Sequence, residues 1–447
     1  MVTISPIFDK INKRIYSSKL KLGKIEEGAL DENWYSEYKN LFRDDPQATP
    51  WITRLCLEYR KKDWGICNLR PVQPTSPKSH QEFASEISEM YIKPPKHMAE
   101  DNGYYIKCLC DVNAYGNWIK CVPFIMPNYY FGACAQASVW IALKCLENKS
   151  GRNVKSAPIP EIQKAATGHY FSDYQGLAFE NITRLLKMNS CESFVYDTSM
   201  ESFKNFSFDE LYNIIYAYVE SGLPVILGVD VSKLEWWDDH EPGFHTIVLI
   251  GHTMNKESGE IDGFILHDQT KFPYIEIKKD DLEKAWDTTD QYKKEMGYSE
   301  DTTIQKAVVG VPPAVKAAYE EIILTHHIVL NDLYLKGNID KRDYPIRPML
   351  INTEQFVIGV TTAKFDDPSF GEFLMKRIKK IPFLHFRFRW IWALHLHEHE
   401  KKREEREVTG MALYDGITGK LILLFIENEL VLYYDAKENQ YKIDPYQ

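Results

Sequence analysis

The chain has 447 residues, 44 % hydrophobic and 26 % charged, which is the balance of a soluble globular protein with room for two or three domains. Its 27 Tyr and 10 Trp argue for packed cores rather than disorder. A net charge of −10 offers no basic footprint for nucleic acid, and 8 Cys are too sparse in so long a chain for a disulfide scaffold. The basic run Lys401-Lys402-Arg403 is flanked by Glu400, Glu404 and Glu405 and reads as a solvated turn or strand end. No stretch approaches the ~20 apolar residues that span a bilayer. The N-terminal residues lack the charged-then-apolar pattern of a signal peptide, so the expectation is a reduced, cytoplasmic protein without a membrane partner.

In chain order, residues 1 to about 100 mix short helical patterns with polar segments, and Pro71-Val-Gln-Pro74-Thr-Ser-Pro77 reads as a linker because proline supplies no N–H to a helix or ladder. Alternation from Tyr105 to Cys110 predicts a strand, a turn at Asn113–Gly116, and a returning strand from Trp118. Cys134 opens a helix to Glu147 that has neither Gly nor Pro and is apolar nearly all round, hence deeply buried. Further helices are predicted from Ile162 and across Leu177 to Met188. Ser207-Phe-Asp-Glu210 is a capping box for a helix that stops at Gly222. Pro224–Asp230, His245–Gly251 and Gly263–Asp268 read as strands, with a polar turn at 255–260, and Asp280–Trp286 as a short helix. From about 300 the chain begins helical at Ala314–Leu324. It then turns strand-rich, with a two-faced strand over 385–396 and hairpin signals at Asp415-Gly416 and Glu427-Asn428.

Within this pattern one constellation carries chemistry. A cysteine attacks as thiolate, and a helix N-terminus favours negative charge, which is where Cys134 sits. A neutral imidazole beside it can take the proton, and a third group must then fix the tautomer of that base. If strands 245–251 and 262–268 form an antiparallel hairpin, His245 at the start of one lies beside Asp268 at the end of the other.

Asn128-Tyr-Tyr-Phe-Gly-Ala-Cys134-Ala-Gln-Ala-Ser resembles the nucleophile segment of papain-like cysteine peptidases, especially the C39-like group. Phe244-His245-Thr-Ile-Val-Leu-Ile-Gly251 and Phe264-Ile-Leu-His-Asp268 resemble its histidine and aspartate strands. Asp173-Tyr-Gln-Gly176-Leu and Gly222-Leu-Pro224-Val-Ile-Leu resemble its connecting segments, so the likeness covers roughly residues 120 to 290. It implies an α+β fold with a papain-like core: a helical lobe opening with the Cys134 helix, packed on an antiparallel sheet. It also implies a division into 1–103, a mixed, linker-containing region; 104–295, the catalytic domain; and 296–447, a strand-rich α/β region. The implied activity is hydrolysis of a peptide or isopeptide bond in a protein or peptide substrate through a thioester, with Cys134, His245 and Asp268 as triad and no cofactor. Where the family usually carries Gln as an oxyanion donor, six residues before the cysteine, this chain has Asn128, one methylene shorter. Acyl transfer of the transglutaminase or phytochelatin-synthase type stays open, as does an inert papain-like scaffold.

Competing readings stand beside these. Cys134 alone is equally a core thiol, His245 a satisfied core histidine, Asp268 a strand-end turn residue and Asn128 a loop cap. His240, His252 and His267 are alternative bases. Cys108, Cys110 and Cys121 invite a zinc reading without a second close pair, and His395, His397 and His399 share a strand face that would suit a transition metal. No phosphate-binding glycine loop is visible.

Overall fold

The computed structural model describes residues 6–16, 19, 21–29, 52–59, 62–71, 85–114, 117–126, 134–150, 154–168, 177–197, 206–237, 244–286, 293–294, 306–339, 344–362, 368–381, 384, 389–397, 408–426, 430–435, 438 and 440–445. Helix α1 (Pro6–Tyr16) buries Ile11 and Ile15, which a spacing of four places on one face. Four strands follow, β1 (Lys21–Ala29), β2 (Ile52–Tyr59), β3 (Lys62–Pro71) and β4 (Ser85–Ile92), where composition predicts short helices. Period-two patterning explains this: Leu55, Leu57 and Tyr59 alternate with Arg54, Cys56 and Glu58. Pro71 ends β3, and the remaining proline-rich stretch lies outside the described residues.

The strand predicted over 105–110 is two strands in two sheets. β5 (Tyr104–Ile106) joins the second sheet, whereas β6 (Cys110–Ala114) pairs with β7 (Asn117–Ile125). Between them the N–H groups of Lys107 and Cys108 both reach Ile250 O at 3.1 Å, which turns the chain from one sheet to the other. The first sheet runs β1-β2-β3-β4-β7-β6.

Helix α2 (Cys134–Ser150) buries Ala135, Val139, Trp140, Leu143 and Leu146, on every side of the helix. Burying each Val or Leu is worth roughly 1.5–3 kcal/mol, so this helix is held by its surroundings on all faces. Around it lie α3 (Ile159–Thr167), α4 (Phe179–Met188) and a sheet of order β12-β11-β10-β9-β13-β8, with β5 added on β10. The strands are β8 (Glu192–Asp197), β9 (Val225–Asp230), β10 (Phe244–Met254), β11 (Ile261–Asp268), β12 (Phe272–Lys278) and β13 (Lys306–Val311). Helix α5 (Phe208–Glu220) lies between β8 and β9 in the chain, and α6 (Lys279–Trp286) follows β12. Every pairing among the described strands is antiparallel, and with these helices the fold is α+β.

Two units emerge from the packing. One comprises residues 1–208, 222–254 and 261–311; the other comprises 209–221, 255–260 and 312–447. The first therefore holds both the stretch expected as an N-terminal region and most of the one expected as catalytic, because β4 pairs with β7.

In the second unit, a sheet of order β14-β15-β16-β17-β18-β19 is formed by β14 (Ile346–Asn352), β15 (Trp390–His397), β16 (Val408–Asp415), β17 (Leu421–Ile426), β18 (Leu430–Asp435) and β19 (Gln440–Pro445). Both predicted hairpins form, β16 with β17 and β17 with β18. Helix α7 (Tyr319–Leu335) starts five residues after Ala314, whose φ of 72° is incompatible with a right-handed helix. Helices α8 (Thr353–Thr362) and α9 (Pro368–Ile378) separate β14 from β15, and Phe370, Leu374, Ile391, Leu413 and Phe425 form part of this unit's core. No helix among the described residues is long and apolar enough to cross a membrane.

Candidate active site

Adjacent strands β10 and β11 form the predicted hairpin, with Val248 opposite His267 and Leu249 opposite Leu266. Facing residues share a side of the sheet and neighbours along a strand alternate. His267 therefore points to the Val248 side, while Asp268 emerges on the side of Ile247 and His245. His245 Nε2 lies 3.1 Å from Asp268 Oδ1, and the two residues are 5 % and 0 % exposed. Since a carboxylate only accepts, Nε2 carries the proton and Nδ1 is left for another partner.

Asp268 is fixed by more than the histidine. Trp236 Nε1 donates to Oδ2 at 2.9 Å, and the Thr270 N–H and hydroxyl donate to Oδ1 at 3.0 and 2.8 Å. Burial alone raises its pKa, but the His245 charge and these donors outweigh it and hold the carboxyl below its ordinary range. Trp236 reaches this position through a one-turn 3-10 helix at Val231–Lys233, whose start is capped by Asp230 accepting from Ser232 N at 3.0 Å. On the other side, Phe244 lays its ring over Gly228, where a Cβ would meet the ring at 2.1 Å. Gly228 is thus needed for the close approach of β9 to the residue preceding His245.

Cys134 is the first residue of α2 and is half-buried. Burial pushes its thiol up, but the His245 charge, a hydrogen bond to that ring, and bonds to the side chain and backbone of Thr246 pull it down to about 7. Burial alone would lower the pKa of His245; Asp268 and Cys134 raise it to about 10. At neutral pH the arrangement favours a thiolate–imidazolium pair, and the helix N-terminus adds a favourable dipole for the thiolate. Trp237 tilts its ring 5.3 Å from that of His245, and Lys271 Nζ stands 4.5 Å over the same indole.

So three of the four predicted site residues, Cys134, His245 and Asp268, come together; Asn128 lies outside the described residues, as do His240 and His399. His252 stacks on Tyr105 at 5.0 Å, seven residues and about 23 Å along β10 from His245. His267 is enclosed by Phe124 and Tyr274 at 5.4 and 4.9 Å, and burial lowers its pKa to about 3. The zinc reading does not hold among the described residues, where no group of three His, Cys, Asp or Glu is placed to hold a metal. Cys110 faces Cys121 across β6 and β7, but the Cys110 thiol donates to Lys144 O at 3.7 Å, and that of Cys145 to Cys108 O at 3.4 Å. The same holds for His395 and His397, where Arg347 sits directly across from His395 and adds a positive charge to the strand face.

Trp236, Thr246, Ser138, Gln269 and Thr270 were not singled out from sequence. Thr270 carries a local signal, the Asp-x-Thr spacing of a side-chain-capped turn. Ser138 lies one helical turn after Cys134, whereas nothing local points to Trp236. No family model matches the chain, and no curated protein matches it.

Proposed function

We propose that the chain is a papain-like cysteine peptidase of the C39-like type, hydrolysing a peptide or isopeptide bond through Cys134, His245 and Asp268. The observation that carries this reading is the 3.1 Å bond from His245 Nε2 to the buried Asp268, on a ring whose other nitrogen is left for the cysteine that opens α2. Chain order Cys, His, Asp and a buried nucleophile helix against an antiparallel sheet also support it. In the proposed reaction the Cys134 thiolate attacks the scissile carbonyl carbon. The tetrahedral intermediate then expels the amine, which takes its proton from the His245 imidazolium. His245, now neutral, removes a proton from water; the resulting hydroxide attacks the thioester and Cys134 departs as thiolate. Asp268 holds the ring and stabilises its charge throughout. Asn128 and the Cys134 N–H are the proposed oxyanion donors, by analogy with the family.

A p-nitrophenyl ester tests this directly. Mass spectrometry should show one acyl group on Cys134, released by water, and acylation should be lost in His245→Ala. Faster release by added amines than by water would favour acyl transfer. An unmodified Cys134, or acylation indifferent to His245, contradicts the enzyme reading and leaves the inert scaffold.

A further inference from the structure

Beside the triad lies a second set of polar side chains that the proposed reaction does not use. Thr246 follows His245 on β10 and points to the other side of the strand, toward α2. It is 4 % exposed, and its hydroxyl and backbone N–H both hydrogen-bond Cys134. Ser138 Oγ lies 2.8 Å from Cys134 O and 3.3 Å from Thr246 Oγ1. Behind it, Gln269 Nε2 donates to Ser138 Oγ at 2.9 Å. Ser138 and Gln269 are both fully buried, and Gln269 Oε1 has no hydrogen-bond partner among the described residues.

Proton counting gives this cluster a direction. An amide nitrogen only donates, so Ser138 accepts from Gln269 and its single proton points away, to Cys134 O or to Thr246 Oγ1. A thiolate only accepts, so the Thr246 proton points to sulfur. Along Gln269, Ser138, Thr246 and Cys134 the donors can all run one way, each polarising the next. Resting on the reading of Cys134 as nucleophile, we infer that Thr246 grips the thiolate as the last member of a one-way donor chain, with Ser138 and Gln269 as its positioning residues. Sulfur is then bracketed by His245 on one side and Thr246 on the other. Among the described residues, the charged groups facing it are His245 and, behind that, Asp268; Thr246 adds a neutral donor that stays in place when His245 loses its proton.

The test is the pH-dependence of iodoacetamide labelling of Cys134 in the full chain, located by peptide mapping. Thr246→Val should raise the labelling midpoint by about one pH unit, about a tenfold loss of labelling at pH 6. Thr246→Ser should restore the wild-type profile, and Gln269→Met should shift it the same way by less. A Cys134 that ignores His245→Ala in the wild-type background sinks the nucleophile reading itself. Dependence on His245 together with unshifted midpoints in Thr246→Val and Gln269→Met overturns the donor chain alone. If Thr246→Val fails to fold, Ser138→Ala cuts the same chain one link back, and an unshifted midpoint there is equally decisive.

Discussion

Among the buried aspartates that end strands in this protein, Asp268 and Asp415 invite a direct comparison. Asp268 at the end of β11 and Asp415 at the end of β16 each accept from the turn that follows, from Thr270 in one case and from Ile417 and Thr418 in the other. Both carboxyls are held below their ordinary pKa against the opposing effect of burial. The partner from the neighbouring chain segment separates them. Asp415 takes the Arg389 guanidinium through two bonds at 3.0 and 2.8 Å, a cation that never titrates, whereas Asp268 takes His245, which does. The same turn chemistry thus holds a permanent cation in one unit and a titratable imidazole in the other.

Substitutions should break this parallel. Asp268→Ala should lower turnover on the order of 10³–10⁴-fold, by analogy with triads that lose their orienting acid, with a smaller loss of folding stability. Asp415→Ala should do the reverse, costing about 3 kcal/mol in denaturant unfolding by removing the buried carboxylate that pairs with Arg389 and closes the turn, while labelling of Cys134 keeps its pH profile. Equal losses of both kinds in both variants would remove the distinction.

The pH-dependence of stability sharpens the contrast between histidines. His245 has its pKa raised to about 10, so its stabilising contribution is complete below the ordinary histidine value of ~6.5 and is lost as pH rises through about 10. Burial lowers His267 and His326 to about 3, so the folded state withholds a proton that the unfolded state binds below ~6.5. Stability should therefore fall as pH drops from ~6.5 toward 3, by about 1.4 kcal/mol per pH unit for each such histidine once the unfolded-state histidine is protonated. A His267→Gln or His326→Gln variant with an unchanged slope would contradict this. Smallest in effect is Trp236→Phe, which deletes the indole donor to Asp268 and keeps the ring's bulk. It should cost roughly tenfold in turnover, in line with ~1.5 kcal/mol for one hydrogen bond to a charged group.

Much of the site was legible because it is local. The β10–β11 hairpin follows from two apolar runs around a polar turn, and it alone brings His245 to Asp268. The α2 helix follows from a long stretch of helix formers without Gly or Pro. What escaped depends on distance or on competition between patterns. Trp236 meets Asp268 across 32 residues, with no periodicity that signals it. The four strands before residue 93 were obscured because their alternation mixes charged and apolar residues within short windows. The apparent strand over 105–110 divides between two sheets, which alternation cannot show. The division into two units was likewise hidden, since α5 lies within the chain of one unit and belongs with the other, where Glu220 pairs with Arg347.

The most direct test of the central claim is selective iodoacetamide labelling at pH 6, compared between wild type and His245→Ala. The account predicts rapid alkylation of Cys134 that is lost in the variant, because the thiolate there depends on the neighbouring imidazolium. Slow labelling of Cys134 with an apparent pKa near ~8.5, identical in both proteins, would contradict it.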